Sequence, residues 1–291
     1  MEILQYDFMV RALIAGAIVG AMAPAIGIFL VLRRLSMIAD SLSHVALAGV
    51  AVGLLLKTFP PIAALGATSV AAVTIEQLRA RRMMPGDAAL AIMLYTALAL
   101  SVVIISLAGG FNVDLFSYLF GSVLTIDWAD LWLVGALGAL IIGFVVIFYS
   151  ELAQTSFDND LAITTGVPVN AVNLGLAILT GATITLSMRV VGVLLVGAML
   201  VIPVIAGIRL AKGLRSAIAL AMLIGVVSSV SGLIIAFYAD LAAGGAVVLT
   251  SVVVLLVTVG ASSGLARVRR TRALRGGAEE AVSATVSSAQ R

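Results

Sequence analysis

Within RRLSMIADSLSHVALAGVAVG, residues 33–53, two side chains could do chemistry: Asp40 and His44, the only histidine among 291 residues. Positions four apart on a helix lie one above the other on one face. A carboxylate and an imidazole therefore point in one direction out of a run of Ala, Leu, Val, Ile and Gly. Ionisable groups in so apolar a run are costly, and by default they mark a substrate or ion path. Carboxylate oxygen with imidazole nitrogen suits borderline divalent metals such as Zn, Mn or Fe(II) rather than Ca or Mg. Two ligands complete neither a tetrahedral nor an octahedral shell. A symmetric dimer would bring two Asp and two His to one axis, and isologous pairing is the commonest oligomer. The competing reading is a His bonded to its own carboxylate, packing two helices together. Ser36, Ser41 and Ser43 share the helix and are assigned no role.

A second stretch, SELAQTSFDNDLAITTGVPVN (150–170), reads as a short amphipathic helix between two apolar spans. Ser156 can cap it, with Asp158 and Asp160 in the first turn, where the helix dipole favours anions. Phe157 and Leu161 fall on one face, and Gly166 with Pro168 supplies the stop. Such a helix either lies on the membrane or docks a cytoplasmic partner, and pattern alone leaves both open. Asp240, in FYADLAAGG, reads as a solvated charge at an outer span end. Glu76 has Arg79 three residues on as a partner. Arg189 marks an outer turn between two spans.

The elements that position these groups follow from composition. Sixty-two per cent of the residues are hydrophobic and 11% charged, with a mean hydropathy of +1.23. Soluble domains carry roughly 25% charged residues, so the chain reads as an all-α, polytopic transmembrane helical bundle. Taking about 20 apolar residues per span, nine windows stand out: 8–32, 36–56, 61–78, 88–108, 127–149, 170–187, 190–208, 216–238 and 246–265. The first contains Arg11, and the sixth and seventh are separated only around Met188 and Arg189. Eight spans with a re-entrant or interfacial segment fit nearly as well.

Most of the 17 basic residues fall at alternate span ends: Arg33 and Arg34, then Arg79, Arg81 and Arg82, then Arg209, Lys212 and Arg215, then the tail from Arg267 to Arg275. The positive-inside rule makes that side, with the C-terminus, cytoplasmic. The other side carries mostly acidic loop residues, Asp114, Asp127, Asp130 and Asp240, and an odd span count places the N-terminus there. Residues 1–266 read as the membrane domain. Residues 267–291 form a basic tail that turns into an aperiodic Ala, Ser and Glu stretch, expected to be disordered. The segment 109–127 is aromatic and amphipathic, a candidate interfacial or re-entrant helix. Gly16-xxx-Gly20 and Gly49-xxx-Gly53 are small-xxx-small pairs that permit close helix packing, though a Gly-rich chain produces such matches by chance.

Absences narrow the function. With no cysteine there is no disulfide framework, thiolate metal site or thiol nucleophile. The chain has no GxxxxGK[ST] phosphate loop, no HExxH and no nucleophile elbow. Its acidic start, MEILQYDFM, reads as lacking a cleavable signal peptide.

The stretch 33–53 resembles the signature of the manganese/zinc/iron-type ABC transporter permeases, the ABC-3 family, whose members read Leu-Arg-Arg, a Ser, then Gly-Asp-Ala-Leu-Ser-His and soon Gly-Val-Ala. The likeness continues through SYLFGSVLTIDWADL, ELAQTSFDNDLAITTGVPV, VGVLLVGAMLVIPVIAGIRL and FYADLAAGGAVVL, covering about residues 10–262 in the expected order. It implies a non-enzymatic permease of a prokaryotic cell membrane, working as a homodimer or with a similar permease. Its partners would be two cytoplasmic ATPase subunits, which hydrolyse the ATP, and a metal-binding receptor outside the membrane. No cofactor is bound permanently, and the cargo is a divalent ion: Mn, Zn or Fe. Asp40 and His44 fall at the family's membrane Asp and His, which handle the ion in transit. Ser156 to Val167 falls on the coupling helix that docks into the ATPase. The chain departs from the pattern at Ala39, where the family has Gly, and at 242–245, where AAGG replaces a Pro-containing turn. The rival readings are an ABC permease for a chelated metal or cobalamin-type cargo, and an ATPase-independent metal transporter.

Overall fold

A computed structural model describes residues 5–80, 86–107, 118–121 and 126–260. Arg81, Arg82, Asp114, the tail from 261 and most of the 109–127 segment lie outside them. The described residues are helical, with no strand among them. The helices are α1 (Asp7–Leu32), α2 (Met37–Leu55), α3 (Pro60–Ala80), α4 (Gly86–Leu107), α5 (Trp128–Ile147), α6 (Tyr149–Phe157), α7 (Asn159–Thr164), α8 (Val169–Val191), α9 (Val193–Leu210) and α10 (Leu214–Ala239), followed by α11 (Ala243–Gly260).

Each of the nine apolar windows, as far as it is described, falls mainly on one of these helices. Eight of the helices are long and apolar enough to cross a membrane, and the remaining window, 190–208, falls mostly on the shorter apolar helix Leu195–Leu210 within α9. In the most apolar part of α1 and α2, 72% of residues are buried, against 28% for α4 and α5. The first two therefore form the centre and the last two the rim. Rim side chains such as Tyr95, Leu107, Trp132 and Ile147 stay exposed, as expected where lipid is the solvent and outward apolar residues carry no penalty.

Backbone proximity holds the centre together. Gly20 of α1 faces the backbone of Gly225 on α10, and a Cβ on either would collide with the other chain segment. Gly16 faces Leu233 and Ser229 of the same helix, while Gly49 and Gly53 of α2 meet Ala64 and Pro60 of α3. Both small-xxx-small pairs are thus packing faces. Without a hydrophobic force between helices in lipid, such close approach is what van der Waals attraction requires.

α1 packs on α5, α8, α9 and α10, and α2 packs on α3, α4, α8 and α9. At the end of α1 the chain turns sharply. Leu35 N–H donates to Leu30 O at 2.8 Å and Arg34 N–H to Val31 O at 3.0 Å, a Schellman pair with Arg34 left-handed at φ 58°. That turn starts α2.

Candidate functional site

Asp40 lies in the first turn of α2, where the unsatisfied N–H groups and the helix dipole favour a carboxylate. Its side chain is exposed, and His44, one turn on, is half-buried. Around them α2 is anchored by buried contacts: Ser41 Oγ donates to Leu90 O of α4 at 2.9 Å, and Ile38, Leu42 and Ala46 are fully enclosed. The pair therefore projects from a helix whose other faces are fixed. Across from it, Gly197 of α9 leaves the space that Asp40 Oδ1 occupies, since a Cβ there would strike that oxygen. Sequence reasoning missed Gly197, which nothing in a Gly-rich chain distinguishes locally.

His44 Nδ1 is buried without a hydrogen-bond partner among the described residues. A ligating imidazole usually donates its other nitrogen to a carboxylate or carbonyl, which raises its basicity. No described residue gives His44 that support. No group of three or more His, Cys, Asp or Glu able to hold a metal occurs among the described residues. Asp40 and His44 are two candidate ligands, and the exposed side of Asp40 is where any further ones would have to come from.

The 150–170 stretch departs from the expected single helix capped by Ser156. Ser156 lies inside α6, and the chain breaks at Asp158, which is extended (φ −148°, ψ 105°). Asp158 is the cap: its Oδ1 accepts from Asp160 N–H and Leu161 N–H, both at 3.0 Å. Ser156, next to last in α6, spends its hydroxyl within that helix, where Oγ donates to Leu152 O at 2.6 Å, and the cap falls to Asp158 at the break. The stop is as expected. Gly166 is left-handed at φ 83°, and Val167 N–H donates to Ala162 O at 3.0 Å, completing a Schellman motif. Thr165 Oγ1 donates to Gln154 Oε1 at 3.1 Å, tying α7 back onto α6. Phe157 (71%), Leu161 (58%) and Ile163 (57%) are left exposed, with Asp160 exposed beside them. Ile163, also exposed, lies two positions from Leu161 and so on another side of α7.

Arg33 is not a free loop charge. Its Nε donates to Ser156 Oγ at 3.0 Å, one terminal nitrogen donates to Thr155 Oγ1 at 2.5 Å, and the other donates to Asn173 Oδ1 of α8. Burial pushes the guanidinium down to about 10, opposed by the nearby Glu76 charge; it remains a cation at neutral pH. Glu76 pairs with Arg79 at 2.9 Å, as their spacing indicates. These two line a cavity of about 630 Å³ with Asn159, Asp160, Asn170 and Asn173, between the end of α3, α7 and the start of α8.

Two further charges differ from expectation. Asp130 is no loop residue: it sits in the first turn of α5, is buried and pairs with Arg189 in the last turn of α8. The turn itself is at Gly192 (φ 89°), which approaches the backbone of 119–121 too closely for any side chain. Arg189 therefore stands one turn before the reversal as half of an ion pair. Asp240 is exposed and left-handed at φ 52°, ending α10.

Residues 5–262 match the model of the ABC 3 transport family. The chain is 34% identical over 253 residues to the manganese import system permease protein ScaB of Streptococcus gordonii, covering 87% of this chain and 91% of that one. It is 32% identical over 246 residues to the high-affinity zinc uptake system membrane protein ZnuB of Haemophilus influenzae, covering 84% and 94%. Among solved structures it superposes on a chain of PsaBC from Streptococcus pneumoniae in complex with Fab, with a TM-score of 0.79, 34% identity, and coverage of 88% and 92%.

Proposed function

The chain belongs to the ABC 3 transport family, and on that premise we propose that it is the membrane permease subunit of an ATP-driven importer of a divalent transition metal ion: manganese, zinc or iron(II). The observation that carries the reading is the pair on α2, an exposed Asp40 and the chain's one histidine a turn later, opposite a glycine that makes room for the carboxylate. Relatives named for manganese and zinc uptake support a metal of that class.

A second copy of the permease supplies the remaining ligands, so that two Asp40 and two His44 meet on a two-fold axis. Oxygen and nitrogen donors in equal number suit Mn, Zn or Fe(II), and the ordering of first-row affinities leaves the choice among them to delivery and availability. A receptor outside the membrane hands over the ion. Separate ATPase subunits bind on the cytoplasmic side, where the C-terminus also lies, and hydrolyse the ATP.

The segment from Ser156 to Gly166 is the ATPase contact. Phe157, Leu161 and Ile163 present the apolar anchor, while Asp158 and Gly166 set where α7 begins and ends. Movement of this segment reaches the metal helix through Arg33, which holds Thr155 and Ser156 with one side chain and stands seven positions before Asp40.

The test is uptake of labelled Mn, Zn and Fe(II) by vesicles containing this chain, its ATPase and its receptor. Uptake of one metal that needs ATP, and is lost in Asp40→Asn and His44→Ala while the ATPase stays bound, is the expected result. Unchanged uptake in both variants would reduce the pair to a structural contact. Uptake without any ATPase would overturn the ABC reading.

A further inference from the structure

A second polar feature stands apart from the metal helix. Arg215, in the first turn of α10, lies over the ring of Tyr149, the first residue of α6, with Cζ 5.1 Å from the ring centroid. A cation over an aromatic face is held there by the ring quadrupole, which fixes a long side chain and leaves its N–H groups available. Arg215 is exposed, and no carboxylate among the described residues pairs with it. Arg209 and Lys212 are exposed in the same connection, and no acidic residue occurs between Arg209 and Asp240.

Arg215 and Tyr149 close one end of a groove of about 370 Å³, whose remaining lining is Val145, Val146, Ile218, Ala219 and Met222. The apolar walls are the last turn of α5 and the first two turns of α10, both helices apolar enough to cross a membrane. The groove therefore opens towards lipid, with a fixed cation where the spans end. α2 packs on neither α5 nor α10 to any extent, so a second copy seated on the Asp40 and His44 face need not cover it.

We propose that this groove binds one anionic phospholipid, its phosphate on Arg215 and an acyl chain against Val146, Ile218 and Met222. The inference needs only that the chain crosses a membrane and is independent of the metal. Basic pockets between spans at the membrane boundary take anionic headgroups, and the apolar wall supplies the second half of an amphipathic ligand. A free phosphate would use Arg215 alone. A zwitterionic lipid would fill the groove with its phosphate already neutralised by its own cation.

The test uses full-length protein in mild detergent and native mass spectrometry, with phosphatidylglycerol or phosphatidylcholine added at equal concentration. One phosphatidylglycerol per chain is expected to be retained over phosphatidylcholine. Arg215→Gln should lower that retention about fivefold, the worth of one basic contact near an anionic surface. Ala219→Trp, which fills the groove and leaves the cation, should lower it as well, and circular dichroism confirms that both variants fold. Inorganic phosphate should not displace the lipid. Equal retention by wild type and Arg215→Gln, or equal retention of the two lipids, overturns the proposal. Displacement by inorganic phosphate overturns it too, assigning Arg215 to a free anion.

Discussion

Arg33 Nε donates to Ser156 Oγ at 3.0 Å across 123 positions of sequence, and that single bond joins the end of α1 to the segment proposed to meet the ATPase. The same guanidinium reaches Thr155 and Asn173, so α1, α6 and α8 are fastened at one point. All three acceptors are neutral oxygens. The cation is thus desolvated without a directly bonded carboxylate, which is why its pKa falls to about 10.

Loss of this joint should uncouple rather than unfold. In Arg33→Met the buried charge disappears together with its desolvation cost, which offsets three lost hydrogen bonds. ATPase subunits should still co-purify with the variant and hydrolyse ATP, while metal uptake per ATP falls. Arg33→Lys keeps the charge but offers a point rather than a fork of donors, so partial uptake is expected. Full uptake by Arg33→Met would remove the residue from the transmission path. The sign of its pH effect is also fixed. Native Arg33 gives up its proton near 10, well before the unfolded chain does. Its contribution is therefore flat at neutral pH and favours the native state more as pH rises through that interval.

Gly197→Ala should damage the proposed metal site without replacing either proposed ligand. The new Cβ strikes Asp40 Oδ1, and overpacking of this kind costs about 1–3 kcal/mol. Turned into site occupancy, that is roughly a 5- to 150-fold loss of apparent metal affinity. Asp40→Asn and Gly197→Ala combined should lose little more than Asp40→Asn alone, because both act on one carboxylate. Measuring the apparent KM for uptake in the four-member cycle decides it, and additive losses would place Gly197 elsewhere in the mechanism.

The apolar windows were legible because lipid-spanning helices must be long and continuous, and the described part of each falls mainly on one helix. The placement of Asp40 and His44 one turn apart on one helix was legible because their spacing is local. The joints were not. Arg33 with Ser156, and Asp130 with Arg189 across 59 positions, are pairings between helices that no local pattern encodes. Arg33 therefore read as a topology signal and Asp130 as a loop charge. Ser156 looked like a cap because hydroxyl and carboxylate both fit that role in sequence, and the backbone break at Asp158 decides between them.

The exposed trio on α6 and α7 should carry ATPase affinity. Fully burying one large apolar side chain is worth about 1.5–3 kcal/mol, so Phe157→Ala should weaken ATPase binding roughly 10- to 150-fold. Ile163→Asp, which would bury a charge at the contact, should abolish co-purification altogether. Both residues are exposed in the permease alone, so its unfolding midpoint should not move. Retention of the ATPase by both variants would mean that the segment lies on the membrane surface instead.

Asp130→Ala tests the opposite end of the bundle, where α5 and α8 are held by the pair with Arg189. Asp130 Oδ2 also accepts from Asp127 N–H at 3.1 Å, and Asp127 in turn lies 3.7 Å from Arg11 of α1. Removing the carboxylate strands a largely buried guanidinium, and breaking one side of a buried pair costs about 3–5 kcal/mol. Thermal unfolding in detergent should show a clear loss of stability in Asp130→Ala. Arg189→Met alone should lose less, because it leaves an Asp that still bonds its own helix start. The double variant Asp130→Leu with Arg189→Met should recover much of the difference, since two apolar groups of similar size leave no charge unpaired. If Asp130→Ala unfolds at the wild-type temperature, the pair does not brace the α5–α8 contact and the Gly192 turn alone holds that end.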